Sequence, residues 1–239
     1  MKIVANNISF KAKPTQYITA DKVLRIMNTH YPTASSSRYI KFVKAQNNSR
    51  IKQAIGLSIG ITCANMRKKI LQAEISQNPV EFFNDFLSDI KKSKASNCFE
   101  QVKLFSFIMD LNNIETKIAS LLPSSINHCV ALIPLKEDAF EKTDFIKTPI
   151  SKMKDFLIAD PWLGIVDYAP NIVTLYKNHP DYNRFIGSPQ DFENWEVFIP
   201  KLKLDDYYLY PQEYHSKKIS IEDRKHFEQK YPELFIEKK

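Results

Sequence analysis

The segment Ser96-Asn97-Cys98-Phe99-Glu100-Gln101-Val102, continued by Leu104, Phe105, Ile108 and Met109, constrains the fold more than any other stretch of the chain. Asn97 is a strong N-cap residue type, and Glu100 stands three positions later, where a carboxylate reaches back to the N-cap amide. The spacing predicts a helix that begins at Cys98. Its apolar side chains are dense enough to make it a buried support, so other elements must pack around it.

Helical periodicity dominates what precedes it. Val23, Ile26 and Met27 recur at helical intervals within residues 20–30, and Tyr31-Pro32 with Ser35-Ser36-Ser37 then breaks the pattern. Arg38 to Ala45 and Ile51 to Ala73 read as further helices, the second interrupted near Gly56 and Gly60. Asn78-Pro79 starts another at Val80, with Phe82, Phe83, Phe86, Leu87 and Ile90 on one broad apolar stripe.

Beyond about residue 125 the texture changes to short apolar runs bounded by breakers, the pattern of buried strands. His128 to Leu135 and Phe156 to Asp160 are the clearest, and Val166, Ile172 to Tyr176 and Trp195 to Ile199 are further strand candidates. The tail from Asp205 reads as irregular, followed by a helix over Ser220 to Tyr231 with Ser220 as cap and Asp223 at the third helical position. The expectation is an α+β fold in a single domain covering residues 1–239. Its mainly helical part runs to about residue 122, a small antiparallel sheet follows to about 200, and an irregular and helical tail closes the chain.

Composition removes several function classes. With 44% hydrophobic and 26% charged residues the chain is globular rather than disordered, and only 4 glycines leave little for a glycine-rich phosphate loop. The three cysteines, Cys63, Cys98 and Cys129, form no C-x-x-C pair, which suits a reducing compartment. The amino terminus has no apolar run of signal-peptide length. Ala54 to Met66 is 13 residues long, too short to span a bilayer, and reads as a buried helix or strand. No transmembrane segment is expected.

Charge is uneven. Residues 1–100 hold 16 Lys/Arg against 6 Asp/Glu, and residues 101–239 hold 18 against 21. The basic first half is either a solvated lysine surface or a docking face for an acidic protein or an anionic membrane. Nucleic acid is disfavoured as a partner, because no Lys/Arg block carries interleaved aromatics.

A cysteine in the first turn of a helix lies at the positive end of the helix dipole, among backbone N–H groups that stabilise a thiolate. A thiolate held there is a nucleophile, and the same amides can donate to a developing oxyanion. Such a nucleophile needs a base, and the base needs an orienting acceptor. His128 opens one expected strand and Asp160 closes another, so antiparallel pairing of the two would bring imidazole and carboxylate together. Period-two alternation places His128, Val130 and Leu132 on one face and Cys129 on the other, which predicts that Cys129 points away from the site.

The pattern N-C-x-E opening a central helix, then N-H before an apolar run, then D-P-W-L-G after another, resembles the papain-like and transglutaminase-like cysteine enzymes found among bacterial secreted effectors. The likeness covers residues 96–165. It implies Cys98 as nucleophile, His128 as general base and acid, and Asp160 as orienter of the imidazole, with Asn97 and Trp162 in support and Asn97 a candidate oxyanion donor. It further implies a papain-like fold, no cofactor, and acyl transfer on a protein amide as protease, glutamine deamidase or transglutaminase. The setting it implies is a bacterial cytoplasm before export by a specialised secretion system, then a host cell with a host protein as substrate. This chain has Phe99 where such families often have glycine, which is expected to narrow the approach to the thiol.

Blander assignments stand beside these. A cysteine at a helix start is often a small buried hydrophobe, and Asp160 before proline can be a turn residue. Cys63 reads as packing, His30 and His226 as solvated helix residues, and His179 and His215 as alternative bases in loops. Cys98, His128 and Asp160 could also ligate zinc, but three ligands so widely spaced are a weak signature. A non-catalytic adaptor on a papain-like scaffold is the competing function.

Overall fold

A helix that is apolar on every side cannot lie on a surface, and the whole layout follows from burying it. In the computed structural model, which describes residues 13–33, 58, 60–69, 79–122, 128–145, 148–178, 196–198 and 219–236, that helix is Cys98–Leu111, and twelve of its 14 residues are buried. Among the described residues it is the fourth helix, α4. Before it come α1 (Thr15–His30), α2 (residues 60–69) and α3 (Pro79–Ser93). After it come strands β1 (Lys117–Leu122) and β2 (Cys129–Pro134), the short α5 (Ala139–Lys142), and strands β3 (Phe156–Asp160) and β4 (Ile165–Tyr168). Helix α6 (Ala169–Asn178), strand β5 (Glu196–Phe198) and helix α7 (Ile221–Lys230) complete the order.

The strands form one antiparallel sheet in the order β4-β3-β2-β1-β5. Both faces are covered. Ala131, Ile133, Leu157, Ala159 and Val166 turn toward the layer made by α1, α2, α3, α4 and α7. Val130, Leu132, Phe156 and Ile158 turn the other way, against Phe145, Ile150, Met153 and the α6 residues Ala169, Ile172 and Tyr176. Burial on both faces explains why β3 is an unbroken apolar run rather than an alternating one.

Aromatic rings tie the helical layer together. Phe83 of α3 stacks on Phe107 of α4 with centroids 3.6 Å apart, and Phe227 of α7 meets Phe107 edge-on at 5.0 Å. Lys103 is carried to full burial on α4, its ammonium 5.8 Å from the Phe82 ring centroid. Helix α7 starts as its sequence predicts, with the Ser220 hydroxyl accepting from the Asp223 amide at 3.0 Å.

The α+β class, the antiparallel sheet, and the elements at Val80, Cys98, Val166, Glu196 and Ile221 agree with expectation. Two elements do not. Ile172 to Tyr176, expected as a strand, belongs to α6, where Pro170 sits in the first turn and Ala169, Ile172 and Tyr176 share one buried face. Lys117–Leu122, expected within the helical part, is a strand inside the sheet, paired on both edges. From residue 60 the run read as helix or strand is helical, with Cys63 and Met66 buried and Ile61 outward. The helix expected over Arg38 to Ala45, the tail from Asp205 to residue 218, and His179 and His215 lie outside the described residues. Among the described residues no helix is long and apolar enough to cross a membrane.

Candidate active site

The start of α4 is fixed from two sides. Asn97 is extended, and its side chain accepts from the Glu100 amide while its own N–H donates to Glu100 Oε2 at 2.9 Å, a complete capping box. Glu100 is fully buried, and its other oxygen accepts from Arg67 Nε and Nη2 at 3.2 and 3.1 Å. Burial pushes this carboxyl up, and the Arg67 guanidinium and the amides of Asn97 and Glu100 counter only part of the rise. One side chain thus pins the first turn of α4 and docks α2 against it. Asn97 serves as support through this cap. Phe99 is buried in the helical core with the Arg67 guanidinium 5.6 Å from its ring centroid, so it turns into the core rather than over the thiol.

Antiparallel pairing of β2 with β3, Ala131 opposite Ala159, brings the beginning of one strand beside the end of the other. His128 immediately precedes β2 and Asp160 ends β3. The His128 Nε2 donates to Asp160 Oδ2 at 2.6 Å, and both side chains are buried. The D-P-W-L-G stretch is the hairpin turn between β3 and β4. In it the Leu163 amide donates to Asp160 Oδ1 at 3.1 Å and the Gly164 amide to the Asp160 carbonyl at 2.8 Å. One carboxylate oxygen is therefore held by backbone and the other is presented to the imidazole. Gly164 has φ +74°, the left-handed conformation that closes the turn. The Trp162 ring stands edge-on to His128, centroids 5.4 Å apart, and with only 5% exposure it keeps water off the His-Asp bond.

The thiol joins this pair. The Cys98 sulfur lies close enough to His128 and Cys129 for both to act on its acidity. With Nε2 committed to Asp160, Nδ1 is the ring nitrogen left for the sulfur. The Cys129 thiol lowers the Cys98 thiol well below its usual range, burial opposes, and His128 lowers it further. Burial alone would push His128 down. The Asp160 charge and hydrogen bond, with a further contribution from Cys98, outweigh that and raise the imidazole to about 10. Both shifts favour the thiolate and imidazolium form of the pair, with the carboxylate behind.

Cys129 corrects an expectation. Alternation does put it on the face with Ala131 and Ile133, opposite Val130 and Leu132, yet that face is the one against which α4 packs. Cys129 is accordingly near enough to act on the Cys98 thiol instead of being remote from the site. The Cys98 thiol and burial both push it well above the ordinary range, while the Ser120 hydroxyl, opposite it on β1, acts in the other direction. Electrostatic influence thus runs from Ser120 through Cys129, Cys98 and His128 to Asp160. Cys63 is buried nearby, its thiol pushed up to about 12 mainly by burial.

The structure thus gathers Cys98, His128, Asp160, Asn97 and Trp162 at one place, and adds Arg67, Cys129 and Ser120, which sequence reasoning did not assign to the site. Arg67 stands in the basic cluster Arg67-Lys68-Lys69, which looks like solvated surface. Its ion pair to the buried Glu100, 33 residues away, distinguishes it from such a surface. His30 and His226 are exposed on their helices. Among the described residues no group of three or more His, Cys, Asp and Glu side chains is arranged to hold a metal ion. No family model, curated protein or solved structure matches the chain.

Proposed function

We propose that this chain is a cysteine-dependent acyl-transfer enzyme of papain-like or transglutaminase-like character, acting on an amide carbonyl. The observation that carries the proposal is the buried His128–Asp160 hydrogen bond at 2.6 Å, with the Cys98 thiol at the front of a buried helix close enough to act on the imidazole.

In the reaction the Cys98 thiolate attacks the carbonyl carbon, and first-turn amides of α4 stabilise the oxyanion. The C–N bond then breaks as the His128 imidazolium gives its proton to the leaving amine, which forms the acyl-enzyme. Neutral His128 next takes a proton from water or from an acceptor amine, whose attack on the thioester restores the thiolate. Asp160 holds the imidazole in one orientation throughout. With water as acceptor the outcome is proteolysis or deamidation, and with an amine it is transamidation. On the resemblance of its motifs, the proposed setting is a bacterial effector delivered to a host cell, with a host protein as substrate.

The test is labelling with a cysteine-directed electrophile at mildly acidic pH, where an ordinary thiol is protonated. Cys98 should react well ahead of Cys63 and Cys129, and His128→Ala should remove that lead. Equal labelling of the three thiols in the unsubstituted protein would sink the proposal.

A further inference from the structure

We infer that the cavity enclosed by α1, the end of α4 and α7 is a binding site for a small amphipathic carboxylate, its acid group meeting Arg224 and Lys22 and its apolar body lying on Ile18, Ile114, Phe235 and Ile236. The inference stands on the cavity and its charges and does not depend on acyl transfer.

The cavity measures about 1010 Å³, the size of a small-molecule site. One part of its lining is a single face of α1, where Thr15, Ile18, Thr19 and Lys22 fall at helical spacing. The rest comes from the end of α4, from α7 and from the segment after α7, which is tied to α4. Asn112 donates from Nδ2 to the Leu234 carbonyl and accepts at Oδ1 from the Ile236 amide, each at 2.9 Å. Ile18 is 46% exposed, and Ile114, Phe235 and Ile236 are only half-buried, so the cavity offers apolar surface that the fold itself does not cover.

The charges are unbalanced over that surface. A guanidinium has five N–H donors. In Arg224, Nη1 donates to Asn113 Oδ1 and Nη2 to the Asp110 carbonyl, the latter at 3.1 Å, while Nε is buried with no acceptor. Among the described residues no carboxylate pairs with Arg224 or with Lys22. Glu228, exposed one turn beyond Arg224, is the one carboxylate in the described lining. Two cations therefore face one anion, and one cation is fixed in place with donors to spare. An organic cation would meet like charge here, and a neutral apolar ligand would leave Arg224 unpaired. A carboxylate accepts from a guanidinium in a two-pronged fit while its tail covers the apolar lining. The thiol is remote from this place: α4 has 14 residues, each rising about 1.5 Å, so roughly 20 Å separates its two ends.

The experiment titrates octanoate into the full chain with its isoleucine methyl groups labelled for NMR. The methyls of Ile18, Ile114 and Ile236 should shift together and saturably, and those of Ile133 and Ile158, buried in the sheet, should not. Octylammonium has the same tail and the opposite charge, and acetate has the charge without the tail; each should bind about 10-fold or more weakly than octanoate. Lys22→Glu, at an exposed position, should weaken octanoate about 3- to 10-fold. Arg224→Gln should weaken it on the order of 10- to 100-fold, through loss of a charged hydrogen-bond donor. Three unmoved methyls would overturn the inference, as would octylammonium or acetate binding as tightly as octanoate. Unchanged affinity in both variants would do the same, and in Lys22→Glu alone if Arg224→Gln fails to fold.

Discussion

The two ends of α4 face the same problem and resolve it with opposite chemistry. Every helix leaves unpaired N–H groups at its start and unpaired carbonyls at its end. At the end of α4, neutral amides close the account. Asn112 Nδ2 donates to the carbonyls of Ile108 and Leu234 at 2.8 and 2.9 Å, and its Oδ1 accepts from the Ile236 amide at 2.9 Å. Arg224 adds a bond to the Asp110 carbonyl at 3.1 Å and another to Asn113. A cation there matches the negative pole of the dipole, just as the Cys98 thiolate and Glu100 match the positive pole. The difference lies in what is left over: a clamp of side chain on backbone at one end, and at the other a half-buried cysteine whose thiolate form is favoured. A helix terminus becomes reactive when its capping groups stop short of shielding the residue they position.

The largest expected effect follows from removing that sulfur. Cys98→Ala should lower acyl-transfer turnover by on the order of 10⁵-fold or more. Its thermal midpoint should stay close to that of the unsubstituted protein, because the cap belongs to Asn97 and Glu100. Turnover surviving in this variant would make the start of α4 as inert as its end.

Next in size is the pH dependence. The acid form that protonates the leaving amine is the His128 imidazolium, held up to about 10. Turnover should therefore be level across neutral pH and fall as pH rises through about 10, while alkylation of the Cys98 thiolate does not fall with it. The sign for stability is the same. His128 is raised from 6.5, so its contribution to folding is complete below that value and is lost as pH climbs toward about 10. An alkaline limb near neutrality would mean that Asp160 does not hold the charge.

Glu100→Ala attacks the start of the helix without touching the sulfur. It removes the carboxylate that accepts from the Asn97 amide and the Arg67 guanidinium. Because Arg67 is partly in water, a loss of about 2–3 kcal/mol by denaturant titration is expected rather than the full cost of breaking a buried pair. Asn112→Ala, at the other end, opens three hydrogen bonds of a neutral amide and should cost about 1–2 kcal/mol. The pair sharpens the contrast through a second readout: Glu100→Ala should slow the labelling of Cys98, and Asn112→Ala should leave it unchanged.

What the sequence conveyed about this helix divides along the same line. The capping box is local, since Asn97 and Glu100 are three residues apart, and it was legible along with the helix it starts. The meeting of His128 with Asp160 followed from one guess about neighbouring strands. Four features were not legible. Lys117–Leu122 is short, and only its partners on either side make it a strand. Ile172 to Tyr176 is rich enough in apolar side chains to pass for a strand, although Pro170 and the spacing of Ile172 and Tyr176 favour a helix. The face occupied by Cys129 came out correctly from alternation, but its consequence depended on which layer α4 covers, and periodicity within a strand carries no such information. Arg67 reaches Glu100 from 33 residues away with no local mark.

The smallest expected effect concerns the turn that holds the carboxylate. Gly164 has φ +74°, and a Cβ there would meet only Asn28 Nδ2 at 3.9 Å, an ordinary contact. Gly164→Ala is therefore opposed by the backbone alone, at about 1 kcal/mol, part of which is offset by the smaller freedom of the unfolded chain. The melting temperature should fall by about 2–4 °C at most. Gly164→Asn should fall less, because asparagine tolerates the left-handed conformation. Alanine keeps the amide that donates to the Asp160 carbonyl, and the Leu163 amide still holds Oδ1. Turnover should thus be nearly unchanged, in contrast to the loss on removing Cys98. If turnover collapses in Gly164→Ala while the melting temperature does not move, the turn sets the angle at which Asp160 meets His128. The reactive end of α4 would then depend on a backbone torsion in a separate hairpin as much as on its own cap.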